Sequence, residues 1–441
     1  MGKSFITLPR KNITVNLNKR QGTAEFYRQT VGHGGINHLP LPECVVNGLK
    51  KLKLKRIRIF IQEFFNIYPE HGVFDWSKLD PYMESLLATG TEIVAAICIK
   101  PKAVYPEVDQ NIIMPTDVEE WQKVVYGLVK RYSVEKRIVT HWEVGNETDF
   151  GETGGSPYLI KNPKDYIEYY TMTIKPVLEA FPEARVGGPA CTQYDENIIP
   201  ALVDYCHSTG VRLDFVSWHA YHDDPVYHAQ KVKLFKDILS KYPEMHLETF
   251  ITEFNKDFDV VLVEEMAFEA KRAAITASII VSLLEAGVDW SFYYHIWDQT
   301  FYTETFKPFY KDTDIMYKHW NEIPHRFGLF GVGGEVRPQY FVYRMLGMME
   351  GEIVETDTTD EDIKAIATDS DLKTAALVVN MNPKPSQDKI LTISFSGLTV
   401  GVRQLVVYRI DNKKCWSTAS LDLIPVEKRE VYVHEEFFCQ I

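Results

Sequence analysis

Eight short β-rich runs recur along the first two thirds of the chain, and helical stretches separate seven of them. The runs cover residues 26–31, 54–60, 92–99, 137–144, 184–187, 213–220, 248–253 and 289–297. Amphipathic stretches near 43–52, 79–89, 117–132, 164–181, 195–208, 228–241 and 262–286 lie between them. A run such as Glu92-Ile-Val-Ala-Ala-Ile-Cys-Ile99 is apolar on both faces. A strand of that kind is covered on both sides, as in a parallel sheet. Strands alternating with helices imply parallel pairing, because a parallel connection must cross back over the sheet. Eight such units predict an α/β fold, a closed (β/α)₈ barrel with some long loops. A doubly wound open sheet, the competing reading, usually has fewer units.

The pattern changes after Met349. Runs at 363–368, 374–379, 389–394, 403–410 and 429–432 alternate or are β-rich. Turn residues separate them, as at Asn380-Met-Asn-Pro383 and Asp411-Asn412. This predicts a small antiparallel β-sandwich over 350–441, behind a barrel over 25–349. The strand-like Ile13-Thr-Val-Asn-Leu17, within residues 1–24, is a candidate to join it from the other end of the chain. A chain of 441 residues can bury such a core without metal or disulfide staples. Its six cysteines form no Cys-x-x-Cys pair, so neither a zinc knuckle nor a disulfide framework is expected. Cys98 and Cys206 sit among apolar residues and read as buried thiols.

Charge excludes some partners. With 48 basic and 61 acidic residues the net charge is -13, which phosphate backbones and anionic membrane surfaces repel. No apolar run reaches the roughly 18 residues of a membrane span. The N-terminal Met1-Gly-Lys-Ser-Phe5 lacks the apolar stretch of a secretory signal. A cytoplasmic location is therefore expected, although a secreted or periplasmic chain with its signal removed would read the same.

In a barrel of this kind the chemistry collects at the C-terminal ends of the strands. The fourth run ends in Trp142-Glu143-Val-Gly-Asn146-Glu147 and the seventh in Thr252-Glu253-Phe-Asn255. The sixth ends in Ser217-Trp218-His219-Ala-Tyr221, the eighth in Tyr293-Tyr294-His295-Ile-Trp297-Asp298, and Arg58 lies near the end of the second. Strands four and seven face one another across a barrel mouth. Two carboxyls about 5 Å apart suit a retaining glycosidase, in which one attacks the anomeric carbon and the other shuttles a proton. A cation such as Arg58 would favour the ionised form of its partner. Asn146 is placed to hydrogen-bond a sugar 2-hydroxyl. Trp297 and Trp218 offer flat apolar faces for stacking on a sugar ring. Asn146-Glu-Thr148 also matches a glycosylation sequon, which a pocket asparagine would not expose.

These motifs carry a resemblance. Trp142-x-x-x-Asn146-Glu147 with Thr252-Glu253-Phe-Asn255 is similar to the large clan of retaining (β/α)₈ glycosidases with catalytic glutamates on strands four and seven. Within it the chain most resembles glycoside hydrolase family 39, which holds β-xylosidases and α-L-iduronidases. Further matching segments are Val31-Gly-His-Gly-Gly35, Leu54 to Phe60, Gly72 to Asp80, Phe215 to Tyr221, Phe327 to Gly331 and Arg337 to Phe341. The resemblance implies that Glu147 is the acid/base and Glu253 the nucleophile. It also implies that Asn146 binds the 2-hydroxyl and that His219 or Tyr221 supports the nucleophile side. Two departures stand out. The family motif usually continues Asn-Glu-Pro, where this chain has Thr148; the second strand usually ends Arg-x-His, where this chain has Phe60. That histidine contacts the sugar at the cleavage subsite, and Gln62 or Glu63 are candidates to fill its place.

The expected partner is an oligosaccharide or other glycoside, with a homo-oligomer left open. The chemistry calls for no cofactor and no metal. Two other readings compete: a carbohydrate-binding barrel with a decayed site, and a metal-dependent barrel hydrolase. The second would draw on His219, His222, Asp223, Asp224 and His228, whose spacing matches no zinc signature and reads better as a solvated loop.

Overall fold

The computed structural model describes residues 8–258, 268–381, 388–411 and 418–441. Met1–Phe5, the start of the helical stretch at 262–286, Asn382-Pro383, Asn412 and Cys415 fall outside them.

The eight expected barrel strands are present and closed. They are β2 (Gln29–His33), β3 (Arg56–Gln62), β4 (Glu92–Cys98), β5 (Val139–Val144), β6 (Arg185–Cys191), β7 (Phe215–Tyr221), β8 (Glu248–Asn255) and β9 (Trp290–Tyr294). Each pairs in parallel with the next, and β9 returns to β2 through Gln29↔Ser291 to Gly32↔Tyr294. The first strand begins three residues later than the sequence pattern suggests. Phe26–Arg28 form a 3₁₀ turn, and ladder pairing starts only where Ser291 faces Gln29.

Helices α1 (Glu43–Lys50), α2 (Leu79–Leu87), α3 (Val118–Val129), α4 (Pro163–Ala180), α5 (Ile198–Thr209), α6 (Pro225–Leu239) and α7 (Ala270–Glu285) alternate with these strands. Local signals set their ends. Asp117 and Asn162 accept hydrogen bonds from backbone amides three residues on, capping α3 and α4. In α6 Asp224 caps the Val226 amide and Pro225 takes the first helical position, so this helix starts three residues before the apolar pattern does. Two single-turn helices, α8 (Thr303–Phe306) and α9 (Asp314–Tyr317), lie in the long loop after β9, and α10 (Pro338–Leu346) closes the ring.

The second sheet has six strands in the order β12-β11-β10-β1-β13-β16. They are β10 (Glu352–Thr358), β11 (Ile363–Asp369), β12 (Thr374–Asn380), β13 (Ile390–Ser396), β16 (Glu436–Gln440) and the N-terminal β1 (Arg10–Thr23). Ile13, Val15 and Leu17 alternate inward from β1 at 0%, 1% and 6% exposure, the period-2 burial of a central strand. One pair departs from the expected antiparallel pattern. β1 runs parallel to β13, because the two come from opposite ends of the chain and no hairpin joins them. β14 (Gly401–Val407) and β15 (Glu427–Val433) form a separate antiparallel ribbon. Cys98, Cys191, Cys206 and Cys439 are buried free thiols and Cys44 is exposed. Among the described residues no helix is long and apolar enough to cross a membrane.

Inside the barrel, below the mouth, Val94, Phe215, Phe250, Trp290 and Phe292 form a separate apolar plug, with Phe215 and Phe250 stacked at 4.4 Å between ring centroids. Truncating a fully buried aromatic costs its transfer energy plus a cavity term. Phe250→Ala is expected to lower unfolding free energy by about 3–5 kcal/mol in urea titrations. A loss below about 1 kcal/mol would show that the plug does not support the barrel.

Candidate active site

Alternation along the strands sends one set of side chains into the barrel mouth. On β3, Arg58 points inward and is wholly buried, with no exposed surface. Its guanidinium donates to three partners on two other strands and a loop. Nε and one terminal nitrogen reach Glu143 Oε2 at 2.9 and 2.7 Å, and that same nitrogen reaches Asn146 Oδ1 at 2.7 Å. The other terminal nitrogen reaches Glu253 Oε1 at 2.7 Å.

Glu147 sits just past β5, where the chain turns sharply. Gly145 has φ +88° and Glu147 itself φ +46°, a left-handed conformation that costs a non-glycine residue energy. The turn is held by the Glu147 amide on the Ala190 carbonyl (2.8 Å), and the Glu147 carbonyl accepts from the amides of Phe150 and Gly151. It carries the carboxyl over the mouth, where Oε1 lies 2.8 Å from His219 Nδ1.

Glu253 reaches the same space through a different irregularity. The register between β7 and β8 runs Trp218↔Ile251 and then His219↔Glu253, skipping Thr252. Phe250 points into the barrel plug, so strict alternation would send Thr252 inward and Glu253 outward. The bulge resets the phase and aims Glu253 at the mouth. There Oε2 accepts from the Tyr221 hydroxyl at 2.5 Å and lies 3.6 Å from His219 Nδ1. One oxygen from each glutamate and one nitrogen of His219 all lie within 4.8 Å of one another. The two carboxyls thus face one another at close range, as the retaining mechanism requires.

Environment separates the two carboxyls. Burial pushes the Glu147 carboxyl well above the usual range, Glu253 and Asp149 push further, and only Arg58 acts the other way. Glu253 is also raised by burial, but Arg58 and the Tyr221 hydroxyl both work to stabilise its anion. His219 is driven well below its ordinary value by burial and then by Arg58, so it is neutral. Glu147 is therefore the better seat for a shared proton and Glu253 the better seat for the charge.

Of the residues singled out in the sequence, Arg58, Asn146, Glu147, His219, Tyr221 and Glu253 thus converge. Trp218 does not. It is the outward neighbour of His219 on β7, wholly buried between Tyr194 and Phe235 at 5.2 and 5.5 Å, with no face free for a sugar. Trp297 is 9% exposed. Its ring lies 6.4 Å from His33, and its Nε1 donates to the Val332 carbonyl. Gln62 donates to the Gly155 carbonyl at 2.7 Å, and Glu63 is buried beside Tyr310.

Two neighbours escaped the sequence reading. Glu143 sits in the site as a carboxylate partner of Arg58, two positions inward from His141 on the same strand face; a buried acid in an apolar strand was the available signal. Tyr294 stacks near Phe60 at 6.4 Å, and its hydroxyl is raised first by burial and then by Glu253 and Glu147. Among the described residues Glu147, His219 and Glu253 are the one group of donors close enough to share an ion, and Arg58 already lends that space a cation. His222 and Asp224 in the loop and the buried His228 in α6 serve local structure instead. His222 accepts from the Asp224 amide, His228 Nε2 pairs with the His222 carbonyl, and Asp224 caps α6.

Comparison with known proteins places this geometry in a family. The profile of Glycosyl hydrolases family 39 matches residues 13–421. A β-xylosidase of Geobacillus stearothermophilus is 22% identical over 411 residues, covering 81% of this chain and 76% of the relative. A β-xylosidase of Caldicellulosiruptor saccharolyticus is 24% identical over 384 residues, covering 78% and 72%. The crystal structure of a monomeric β-xylosidase from Caulobacter crescentus superposes with a TM-score of 0.75 at 18% identity, over 98% of this chain and 97% of that one. A family 39 enzyme from Xanthomonas axonopodis pv. citri gives the same TM-score over 99% and 95%. The chain belongs to glycosyl hydrolases family 39 and is a retaining glycoside hydrolase, as its two facing carboxyls imply.

Proposed function

We propose that Glu253 is the nucleophile and Glu147 the acid/base, acting on a β-xyloside or a closely related pyranoside. The observation that carries the assignment is asymmetric hydrogen bonding. Arg58 and Tyr221 both donate to Glu253, while Glu147 receives no cation and faces only His219. In the resting site one proton is shared by the pair, since two adjacent anions in a buried site repel.

In the first step a Glu253 oxygen attacks the anomeric carbon and the bond to the leaving oxygen breaks. The proton of Glu147 goes to that oxygen. In the second step Glu147, now ionised, takes a proton from water. The water oxygen attacks the anomeric carbon, the glycosyl ester to Glu253 breaks, and Glu147 is protonated again. Asn146 is held by Arg58 through its Oδ1, which leaves its amide hydrogens free to face a sugar hydroxyl.

The xyloside reading is supported by two relatives that carry the name β-xylosidase. Phe60 adds a local feature. Its ring lies 5.0 Å from the Arg58 guanidinium carbon and beside Tyr294, which makes this wall of the site aromatic. A panel of aryl pentosides, hexosides and uronides in both anomers therefore tests the substrate directly. One member should turn over and lose all detectable turnover in Glu253→Gln. Near-normal rates in that variant would overturn the assignment.

Glu147→Ala should lose roughly 10²–10⁴-fold on poorly activated substrates. With an activated aryl glycoside, whose leaving group departs unprotonated, added azide should restore turnover and yield a glycosyl azide of retained configuration, read by NMR; an inverted azide would reverse the two roles. Arg58→Met removes the cation that lowers Glu253. The nucleophile would then ionise only at higher pH, so the acid limb of kcat/KM should move upward. Chemical denaturation should show a loss of about 3–5 kcal/mol, because Glu143 and Glu253 are left buried without their partner.

A further inference from the structure

The turn at 151–154 lies directly on the acid/base. A methyl group at Gly154 would collide with Glu147 Oε2 and stand 3.0 Å from Glu147 Cβ, so the glycine backbone is packed against the carboxyl. This contact covers part of the Glu147 side chain, which is left 14% exposed. The turn is pinned from outside by several groups. Gln110 accepts the Glu152 amide at 2.8 Å, and the Glu152 carboxylate accepts the amides of Lys311 and Asp312 at 3.2 and 3.1 Å. Closest to Gly154, the Gly155 carbonyl accepts two buried side-chain donors, Gln62 Nε2 at 2.7 Å and the Tyr310 hydroxyl at 2.9 Å.

Proton counting extends the chain of contacts one residue further. The Tyr310 oxygen also lies 3.0 Å from Glu63 Oε2. A phenol has one proton, and a carbonyl can only accept. If that proton serves Gly155, the Glu63 contact is satisfied only when Glu63 brings a proton of its own. Glu63 is 3% exposed, and its other oxygen has no hydrogen-bond partner, which a neutral acid tolerates better than a carboxylate. Burial raises Glu63 to about 8; Tyr310 and Lys100 act against this rise and Glu152 adds to it.

We propose that Gln62, Glu63 and Tyr310 are positioning residues for the reaction: through the Gly155 carbonyl they hold the Gly154 turn on Glu147 and keep water from the acid/base. Glu63, as a neutral acid, donates to Tyr310, which donates to Gly155. The inference rests on Glu147 being the acid/base. The other charged or titratable groups acting on Glu147 are Glu253, Asp149, Arg58 and His219. None of these is altered by the variants below.

The test is a pH profile of kcat/KM combined with a leaving-group series, in Tyr310→Phe, Gln62→Leu, Glu63→Gln and Glu63→Leu, beside melting temperatures. A loosened turn lets water reach Glu147, so its proton should leave at lower pH. In Tyr310→Phe and Gln62→Leu the alkaline limb should move down by about half a unit or more. Turnover of an alkyl glycoside should fall about tenfold, while a dinitrophenyl glycoside, which needs little protonation, should be spared. Glu63→Gln keeps a donor for Tyr310 and should retain the wild-type profile; Glu63→Leu should behave like Tyr310→Phe. The two donors to Gly155 are independent, so one misfolded variant leaves the other as a test. Unmoved limbs in both, or identical profiles for the two Glu63 variants, would overturn the proposal. Azide rescue of Glu147→Ala separates this outcome from failure of the parent reading. With rescue intact and the limbs unmoved, only the cover is wrong. Without rescue, the acid/base assignment itself falls.

Discussion

A guanidinium buried without solvent contact, on the inner wall of a barrel, is the constraint around which this site is arranged. Burying an isolated charge costs several kcal/mol even after relaxation, and the cost is met only by close counter-charges with good geometry. Arg58 meets it with Glu143 on β5 and Glu253 on β8. Burial opposes its charge, and the two carboxylates more than offset that, so the cation persists. The same interactions tie three strands across the mouth and fix where the Glu253 carboxylate sits. Breaking any one of them would strand a charge in a low-dielectric space, which makes the arrangement all-or-none.

From that anchor the two facing carboxyls differentiate with little further machinery. Glu253 is buried and the Glu147 side chain is only 14% exposed, and that covering alone would make both weak acids. Glu253 has a cation and a phenol to hold its charge, and Glu147 has a neutral imidazole and a covering glycine turn. The division of roles between nucleophile and acid/base, as proposed, thus follows from which hydrogen-bond donors the neighbouring strands supply. It uses the same carboxylic acid twice in two environments.

The architecture shows the same economy at larger scale. β1 lies mid-sheet between β10 and β13. The chain then enters the barrel through Ala24, whose amide bonds the Gly351 carbonyl where the barrel ends and β10 begins. Entry to and exit from the barrel are stitched together, and both ends of the chain contribute strands to the second sheet, β1 in its middle and β16 at its edge. Its three buried β1 side chains explain how a strand so far in sequence from its partners holds register.

Much of this was legible in the sequence, because it depends on local periodicity. Apolar runs on both faces gave the eight strands, alternation with helical stretches gave parallel pairing, and polar residues at strand ends gave Arg58, Asn146, Glu147, His219, Tyr221 and Glu253. The parallel pairing of β1 with β13 and the helix start at Pro225 were not read from it. The inward or outward sense of single side chains at irregular points was also hidden. Trp218 looked like a sugar platform from its position, yet the two-residue period turns it away from His219 into the helix layer. Glu253 is aimed at the mouth only because β8 bulges at Thr252, and a bulge depends on how two neighbouring strands register. Glu143, Tyr294 and the Gly154 turn joined the site through contacts between segments far apart in the chain. Sequence alone determined which residues reach the end of which strand, since hydrophobic period and turn chemistry are local. Which of them meet, and which of two identical carboxyls keeps the proton, was decided by the closed barrel, because burial and the placing of a distant cation exist only once the strands have come together.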